Sequence, residues 1–499
     1  MEDGSGLRPL PEEELRRLAA GMQQIVRDLH LLVHDPTGGE LVRRLGQHLG
    51  SDPRQLPVVT HEFPMAQLVD IDAALAAWTE EADDRRKELL GITGPHRRGT
   101  PLSELLTGDL GVGVGPVDYV DCADSPDTTR SCVRIGLFLL SDRGRPLALL
   151  LRGSDRQNPS PSGQLELIAA DPDHGRAFLS EVIRISVERS VLRGQVLAFG
   201  GSRNGYGGLR FIRRPVMARS ELVLPEATLD QIERHVLGIA ELRSRLREAG
   251  QHLKRGVLLY GPPGTGKTHT VRYLLAQMPG VTTFILSGEA YRNISYVCGL
   301  ARSLQPAVVI LEDVDLVAAD RSFGPPGGNP LLFEVLNHID GLGDDVDVTF
   351  LLTTNRVDIL ERALAERPGR VDAAVPIEAP DPEGRVRLFR LYGGAVGLGQ
   401  LGEADLEPAV AATEGCTATY LREVVRRAAL IAAEGQPTGP LRVDGPALAR
   451  AATELLDDRA ALTRAILGGL AREGGRPAPP VPPSHRKPGP ELPPPPGDW

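Results

Sequence analysis

The stretch Gly261-Pro262-Pro263-Gly264-Thr265-Gly266-Lys267-Thr268 fits the pattern G-x-x-x-x-G-K-[ST]. An apolar run at residues 256–260 precedes it and is typical of a buried parallel strand, and residues 269–277 are predicted to open a helix. Strand, glycine-rich turn and helix N-terminus follow in the order that a phosphate-binding loop requires, because backbone N–H groups then face the phosphates. We therefore expect nucleotide binding here, with Lys267 on the β- and γ-phosphates and the Thr268 hydroxyl on Mg²⁺.

Two acidic residues follow a strand-like run downstream of this loop. Residues 282–286 and 308–311 are each predicted to form a strand, and Glu312 and Asp313 come directly after the second one. An apolar strand that ends in two acids is typical of a Walker B motif. In that motif one carboxylate holds Mg²⁺ and the other polarises the attacking water. After a phosphate-binding loop, this arrangement predicts an ATP-hydrolysing site.

An asparagine and two arginines complete the candidate site. Residues 348–352 predict a strand that leads to Asn355, which either orients a water between the γ-phosphate and the acids or caps a turn. Arg367 and Arg370 flank a Pro-Gly turn. They are either ordinary surface charges or they reach the γ-phosphate of a neighbouring subunit.

From about Leu224 to Leu430 the chain resembles the AAA family of ring-forming ATPases, in its classical branch. Besides the P-loop, the resemblance rests on the helix before the sensor strand (332–342), sensor 1 (354–356), the arginine-finger turn (367–370) and the start of the lid segment that contacts adenine (413–421). It implies a doubly wound α/β core with a C-terminal helical lid. It also implies ATP at the interface between subunits of a ring, with a hexamer as the expected size.

The residues differ from the family pattern at two places in the site. Walker B is usually Asp-Glu, whereas this chain has Glu312-Asp313. By position, Glu312 takes the metal role together with Thr268, and Asp313 takes the role of the base. Because aspartate is one methylene shorter than glutamate, water activation is expected to be weaker or to need a closed ring. The lid has Ala418-Thr419 in place of Gly-Ala, which puts the close approach of the backbone to adenine in question.

The central pore loop is a third difference. The stretch at residues 287–306 is shorter than in family members that thread their substrate, whose pore loop carries an aromatic residue, an apolar residue and glycine. Tyr291 and Tyr296 are the candidates for that aromatic residue. The alternative is that both are core tyrosines.

Composition and periodicity divide the chain. A hairpin turn at residues 142–145 joins two strand-like runs, and Asp171-Pro172 predicts a helix start. The predicted segments are a helical N-terminal region (1–95), a small α+β recognition or assembly domain (96–200), a Gly/Arg linker (201–218), the ATPase α/β core (219–378), a helical lid (379–470) and a disordered proline-rich tail (471–499).

Charge and cysteine usage restrict the partners. The formal net charge is −10, which argues against a general nucleic-acid surface. The four cysteines form no CxxC motif, and no apolar run approaches the about 18 residues of a membrane span. We therefore expect a cytoplasmic protein without a zinc site, a disulfide framework or a membrane segment.

The predicted function is Mg²⁺-dependent ATP hydrolysis that remodels or disassembles a protein client, which the sequence does not identify. One alternative is a nucleotide-binding switch or scaffold with little turnover, which the shorter Asp313 keeps open. The other is an ATPase that acts on nucleic acid, supported only by the arginines and aromatic residues of the linker.

Overall fold

An antiparallel sheet of seven strands lies in the N-terminal part of the chain. In the computed structural model, the described residues are 21–22, 39–94, 100–107, 112–153, 162–199, 209–251, 253–315, 337, 346–356, 371–436 and 438–466. The strands are β1 (Val58–Pro64), β2 (Arg86–Thr93), β3 (Gly113–Gly115), β4 (Asp118–Ala123), β5 (Thr129–Asp142), β6 (Arg145–Arg152) and β7 (Ser162–Ala169). Their order is β1-β7-β6-β5-β2-β3, with β4 beside β5.

Helices cover both faces of this sheet. They are α1 (Gly39–Leu49), α2 (Leu68–Glu80), α3 (Leu102–Leu105) and α4 (Pro172–Glu188). Strand β6 shows why both faces are covered, because every residue of its leucine-rich run is buried. Leu147, Leu149 and Leu151 belong to the apolar cluster that includes α2 and α4. Ala148 and Leu150 belong to the cluster that includes α1 and α3. A strand that is apolar on both sides needs a layer of helices on each face.

The structure differs from the helical prediction for residues 1–95. Strands β1 and β2 lie in that range and pair with β7 and β5, respectively. The charged residues at the start of β2 are good helix formers, and the partners of both strands lie far along the chain, so the local pattern favoured a helix. Residues 1–20 and 23–38 of that predicted helical region lie outside the described residues. The N-terminal region and the predicted α+β domain therefore share one sheet.

A second seven-stranded sheet carries the P-loop. Its strands are β8 (Val196–Phe199), β9 (Leu209–Ile212), β10 (Arg255–Tyr260), β11 (Thr282–Ser287), β12 (Ala307–Glu312), β13 (Val348–Thr354) and β14 (Ala373–Pro376). The order is β14-β10-β13-β12-β11-β8-β9. All neighbours pair in parallel except β9, which is antiparallel to β8. The carboxyl ends of the parallel strands therefore meet at one edge, where open α/β sheets bind their ligands.

Helices lie on both faces of the second sheet, as the prediction of a doubly wound α/β core requires. The helices in this part of the chain are α5 (Glu226–Glu233), α6 (Ile239–Glu248), α7 (Lys267–Gln277), α8 (Ile294–Ser303) and α9 (Pro382–Tyr392). Helix α8 packs in one apolar cluster with Leu258 and Phe350 of the sheet. Helices α5 and α7 pack in another with Val257 and Leu259. The predicted fold of the ATPase core is confirmed.

The ATPase sheet extends beyond its predicted boundary. Strand β8 lies before residue 200 and β9 lies within the predicted linker, yet β8 pairs with β11 and β9 pairs with β8. Both strands are only four residues long, and they flank a stretch of glycines, so the composition indicated a linker rather than a hairpin. Residues 201–208 of the linker and the tail at 471–499 lie outside the described residues.

The chain separates into two compact units, residues 1–392 with 414–422 and residues 393–413 with 423–499. The first unit holds both sheets. The described residues of the second unit form helices, as predicted for a C-terminal helical region. Its helices are α10 (Glu403–Ala412), most of α11 (Ala418–Gly435) and α12 (Gly445–Ile466).

Candidate nucleotide site

Two glycines of the P-loop have conformations that other residues would resist. Gly261 has a φ of 152°, and a Cβ atom there would lie 2.1 Å from the carbonyl oxygen of Ile377. Gly266 has a φ of 114° and forms the N-cap of α7. Glycine permits both the close approach and the left-handed turn. The loop therefore passes directly from the carboxyl end of β10 to the N-terminus of a helix, as the motif predicts.

Lys267 lies buried at the start of α7. Its Nζ atom donates hydrogen bonds to the carbonyl oxygens of Gly261 and Pro262, at 2.7 and 2.8 Å. Burial lowers the pKa of Lys267, whereas the negative charges of Asp313 and Asp315 act in the opposite direction. The ammonium group therefore lies inside the loop, and its present partners are neutral carbonyl groups that a phosphate oxygen can replace.

Glu312 ends strand β12 opposite the P-loop hydroxyl. Burial raises the pKa of Glu312 and the charge of Asp313 raises it further, while the nearby Thr268 hydroxyl lowers it. The structure thus brings together the two residues that the sequence predicts as metal ligands. A carboxylate and a hydroxyl are hard oxygen donors of the kind that Mg²⁺ takes, usually with one or two carboxylates plus substrate phosphates.

Asp313 faces a different partner. Its backbone has a φ of 54°, one of two positive φ values outside glycine in the described residues. The Asp313 N–H group donates to Thr353 Oγ1 at 2.9 Å, and Asn355 Nδ2 donates to Asp313 Oδ1 at 3.1 Å. Asn355 therefore contacts the predicted base directly. Arg367 and Arg370, the predicted arginine finger, lie outside the described residues.

A third acid, which the sequence analysis did not single out, also contributes to the site. Asp315 is 7% exposed, and its Oδ1 atom accepts hydrogen bonds from Thr354 Oγ1 and from the Asn355 N–H group, each at 2.9 Å. The only signal in the sequence is the acid–apolar–acid spacing of Asp313-Val314-Asp315, which is common in loops. Its importance depends on a contact between two strands, which no single stretch of sequence contains.

The two tyrosines that were pore-loop candidates are both packed inside the protein. Tyr291 is 1% exposed, and its hydroxyl donates to the carbonyl oxygen of Glu312 at 2.7 Å. The half-buried ring of Tyr296 meets Phe199 edge to face, with centroids 5.6 Å apart, and its hydroxyl accepts from the Ala66 N–H group at 3.1 Å. These contacts agree with the alternative reading of both residues as core tyrosines.

In the described part of the chain, cavities adjoin the P-loop on two sides. One, of about 470 Å³, is lined by P-loop residues and by Tyr260, Asn355, Pro376 and Glu378 at the carboxyl ends of strands. The other, of about 230 Å³, includes Thr265 of the loop, Ala418, the segment 223–226 and part of α9. The Thr419 N–H group donates to the Gly264 carbonyl oxygen at 3.1 Å, which fixes the start of α11 against the loop.

No helix in the part of the chain that the structure describes has the length and apolar character to cross a membrane. Within the same residues, no group of three or more His, Cys, Asp or Glu side chains forms a metal site. Thr268 and Glu312 are only two protein ligands. In nucleotidases, Mg²⁺ takes its further ligands from the phosphates and from water.

The chain is similar to several bacterial proteins named ATP-dependent zinc metalloprotease FtsH. It is 34% identical to the protein from Mycobacterium tuberculosis over 244 residues. These aligned residues cover 46% of this chain and 30% of the relative. It is 28% identical over 320 residues to the protein from Corynebacterium glutamicum, an alignment that covers 60% of this chain and 35% of the relative. It is 34% identical over 205 residues to the protein from Thermus thermophilus, which covers 38% of this chain and 32% of that relative. This chain thus spans about a third of the length of these relatives.

A family model described as "ATPase family associated with various cellular activities (AAA)" matches residues 257–379. The match begins in β10 and ends just after β14, so it contains the P-loop, both Walker B acids and Asn355. Since the strand order, the loop geometry and the family match agree, residues 257–379 form a domain that matches the AAA family of P-loop ATPases.

Proposed function

We propose that this chain hydrolyses ATP in a ring of identical subunits and uses the turnover to remodel or disassemble a protein client. The relatives named above are, by name, ATP-dependent proteases, which supports a protein as the client. The negative net charge favours a protein over nucleic acid. The AAA resemblance supports the ring, with the nucleotide between neighbouring subunits.

One observation supports ATP hydrolysis by this chain over the alternative of a switch that only binds nucleotide. The two Walker B acids have separate partners: Glu312 faces Thr268, and Asp313 faces Asn355. A metal ligand and a base need such separation, because one carboxylate would hold Mg²⁺ while the other stays free to accept a hydrogen bond from water. Asp313 makes its contact with Asn355 even though it is shorter than the usual glutamate.

Each residue then has a defined part in the reaction. Lys267 exchanges its carbonyl partners for oxygens of the β- and γ-phosphates, and the backbone N–H groups of the loop bind the remaining phosphate charge. Thr268 and Glu312 would hold Mg²⁺, which offsets charge on the phosphates. Asp313 and Asn355 orient the attacking water. As its oxygen bonds to the γ-phosphorus, Asp313 takes the proton, and the bond from the γ-phosphorus to the oxygen of ADP breaks.

The cavity beside Thr265 and Ala418 is the proposed position of the adenine base. It adjoins the loop on the side of α9 and is lined by Val223, Leu224 and Leu388 among others. Charged residues line it as well, namely Glu226, Glu378, Asp381, Glu383 and Arg387, so the apolar contacts with a base would come from Val223, Leu224 and Leu388. Ala418, which stands where the family has glycine, is one of the lining residues of this cavity.

The test is phosphate release by the wild-type chain, compared with Lys267→Ala. We expect turnover that depends on Mg²⁺ and rises with added unfolded protein but not with DNA or RNA. Lys267→Ala should bind no ATP, because the loop then lacks its only ammonium group. If the wild type binds ATP but releases no phosphate under any of these conditions, the switch reading replaces the proposal. Stimulation by DNA or RNA alone would favour the nucleic-acid reading.

The client itself can be found by trapping. Asp313→Asn should bind ATP and hold its client without releasing it. Mass spectrometry of proteins recovered with this variant, compared with those recovered with Lys267→Ala, should show proteins that depend on bound ATP. Identical recoveries from both variants would argue against a nucleotide-dependent client.

A further inference from the structure

Side-chain hydrogen bonds join the ends of β12 and β13. The two strands pair in parallel, with Leu311 opposite Leu352, so that the residues after them leave the sheet together. Asp313 follows β12 in a left-handed conformation, and its N–H group donates to Thr353 Oγ1. The predicted base is therefore held by the neighbouring strand and not only by its own.

A single buried carboxylate fixes the start of the loop after β13. Asp315 Oδ1 accepts from both the Thr354 hydroxyl and the Asn355 N–H group. The same hydroxyl, Thr354 Oγ1, accepts from the Arg356 N–H group at 3.0 Å. Two successive backbone N–H groups thus depend on Asp315, one directly and one through Thr354. Hydrogen bonds to an ionised acceptor are about twice as strong as neutral ones.

The side chain of Asn355 continues this series of contacts to the predicted base. With its backbone held by Asp315, Asn355 donates from Nδ2 to Asp313 Oδ1 at 3.1 Å. Asp313 and Asp315 are only two residues apart, yet the structure connects them through an asparagine on another strand. Asn355 contacts Asp315 through its backbone N–H group and Asp313 through its carboxamide, so Asp315 sets the backbone position from which the carboxamide reaches Asp313.

We infer that Asp315 is a positioning residue for hydrolysis: it fixes Asn355, and Asn355 orients the carboxylate of Asp313 toward the attacking water. This inference rests on the proposed ATPase activity. Asp315 makes neither of its two hydrogen bonds to a P-loop residue, so its loss should affect the chemical step more than nucleotide binding. Outer partners of this kind are typically worth about 10- to 100-fold in activity.

The test is a double-mutant cycle on kcat with Asp315→Ala, Asn355→Ala and the double variant. Asp315→Ala should lower kcat about 10- to 100-fold, while the Kd of a fluorescent ATP analogue stays within a few-fold of the wild type. The double variant should be no slower than Asn355→Ala, because Asp315 acts through Asn355. Asp315→Asn, which keeps one acceptor oxygen, should recover part of the lost activity.

A matched control separates positioning from general stability. Asp70 is an equally buried carboxylate in the N-terminal domain that also accepts a hydroxyl and a backbone N–H group, from Ser190 and Val191. Asp70→Ala should lower the Tm and leave kcat unchanged. Should Asp315→Ala fail to fold, Thr354→Val replaces it in the cycle, because it removes one of the two donors to Asp315.

Two results would overturn the inference while leaving the ATPase proposal intact. One is a kcat for Asp315→Ala equal to that of the wild type. The other is a double variant whose loss is the product of the two single losses, since independent residues behave in that way. Absence of turnover in the wild type would instead overturn the proposed function and this inference together.

Discussion

Glu312 and Asp313 are adjacent in the chain, but the fold gives them different partners and different predicted effects on mutation. Asp313→Asn should leave ATP binding intact and lower turnover at least about 100-fold, because an amide is a poor acceptor for a proton from water. Glu312→Gln should instead weaken binding that depends on Mg²⁺, since a neutral amide replaces the charged ligand. Titrations of nucleotide affinity with and without Mg²⁺, followed by phosphate release, check both.

The reverse pattern would change the assignment of the two acids. If Glu312→Gln keeps the dependence on Mg²⁺ and Asp313→Asn removes it, the roles are offset by one residue, and Asp313 is the metal ligand. A suitable control is Glu289→Gln, which lies in an exposed position before α8 and should change neither measurement.

Asp70 should make the stability of the protein depend on pH. Burial raises its pKa from 3.8 to about 7, against the opposing effects of Ser190, Val191 and Arg193. The folded state then binds a proton that the unfolded state has lost, so stability falls as pH rises from about 4 to about 7. In Asp70→Asn, urea unfolding at pH 5 and pH 7.5 should show a smaller fall than in the wild type. Asp173→Asn, an exposed control, should behave like the wild type.

At the scale of single residues, the sequence predicted those residues whose roles follow from a local motif. The P-loop, Glu312, Asp313 and Asn355 were all singled out, and the fold brings Glu312 to Thr268 and Asn355 to Asp313. Their roles stay predictions until tested. Asp315 was missed because its hydrogen-bond partners lie at the end of another strand, and a contact between two strands produces no pattern among neighbouring residues of the chain.

Helix α8 and the turn before it connect the ATPase core to the N-terminal domain. Tyr291 donates to the end of β12, and five residues later Tyr296 accepts from the Ala66 N–H group. Tyr296→Phe keeps the ring against Phe199 but removes this acceptor, so we expect a loss of about 1 kcal/mol in the free energy of unfolding. Hydrogen exchange at the Ala66 amide should also become faster.

The control for this variant is Tyr119→Phe. Tyr119 is 54% exposed on β4, so loss of its hydroxyl should leave both measurements unchanged. An unaltered exchange rate at Ala66 in Tyr296→Phe would show that the hydrogen bond does not protect that amide.

The elements of the ATPase core were predictable because each strand is a short apolar run bounded by a recognisable turn. Strands β10 to β13 appear at the predicted positions for that reason. The N-terminal strands β1 and β2 were not predicted, since β2 begins with three charged residues, Arg86 to Glu88, and both strands pair with partners far along the chain. Pairing at such a distance, rather than local propensity, decides their conformation.

For the whole molecule, the prediction concerns assembly. The AAA resemblance implies that Arg367 and Arg370 reach the nucleotide of a neighbouring subunit. Both should then matter little for ATP affinity and much for turnover, because such an arginine is worth about 10³ to 10⁵ in rate in other nucleotidases. Specific activity should also rise with protein concentration as rings form.

Mixing two inactive variants tests this arrangement directly. Arg370→Ala subunits keep the P-loop, and Lys267→Ala subunits keep the arginines. Mixed rings should regain activity that neither variant shows alone, with each variant mixed with itself as the control. No recovery, together with wild-type activity that is constant on dilution to monomer, would indicate that the arginines are surface charges.

Strand β8 lies outside the residues that match the family, yet it is an interior strand of the ATPase sheet. A fragment that began where the match begins, at residue 257, would leave the backbone groups of Thr283–Ile285 without their partners on β8. It would also uncover the apolar cluster to which Leu197 and Phe199 contribute. Bare strand edges of this kind promote aggregation. Expression of the catalytic domain by itself therefore has to start upstream of β8, in the segment that follows α4.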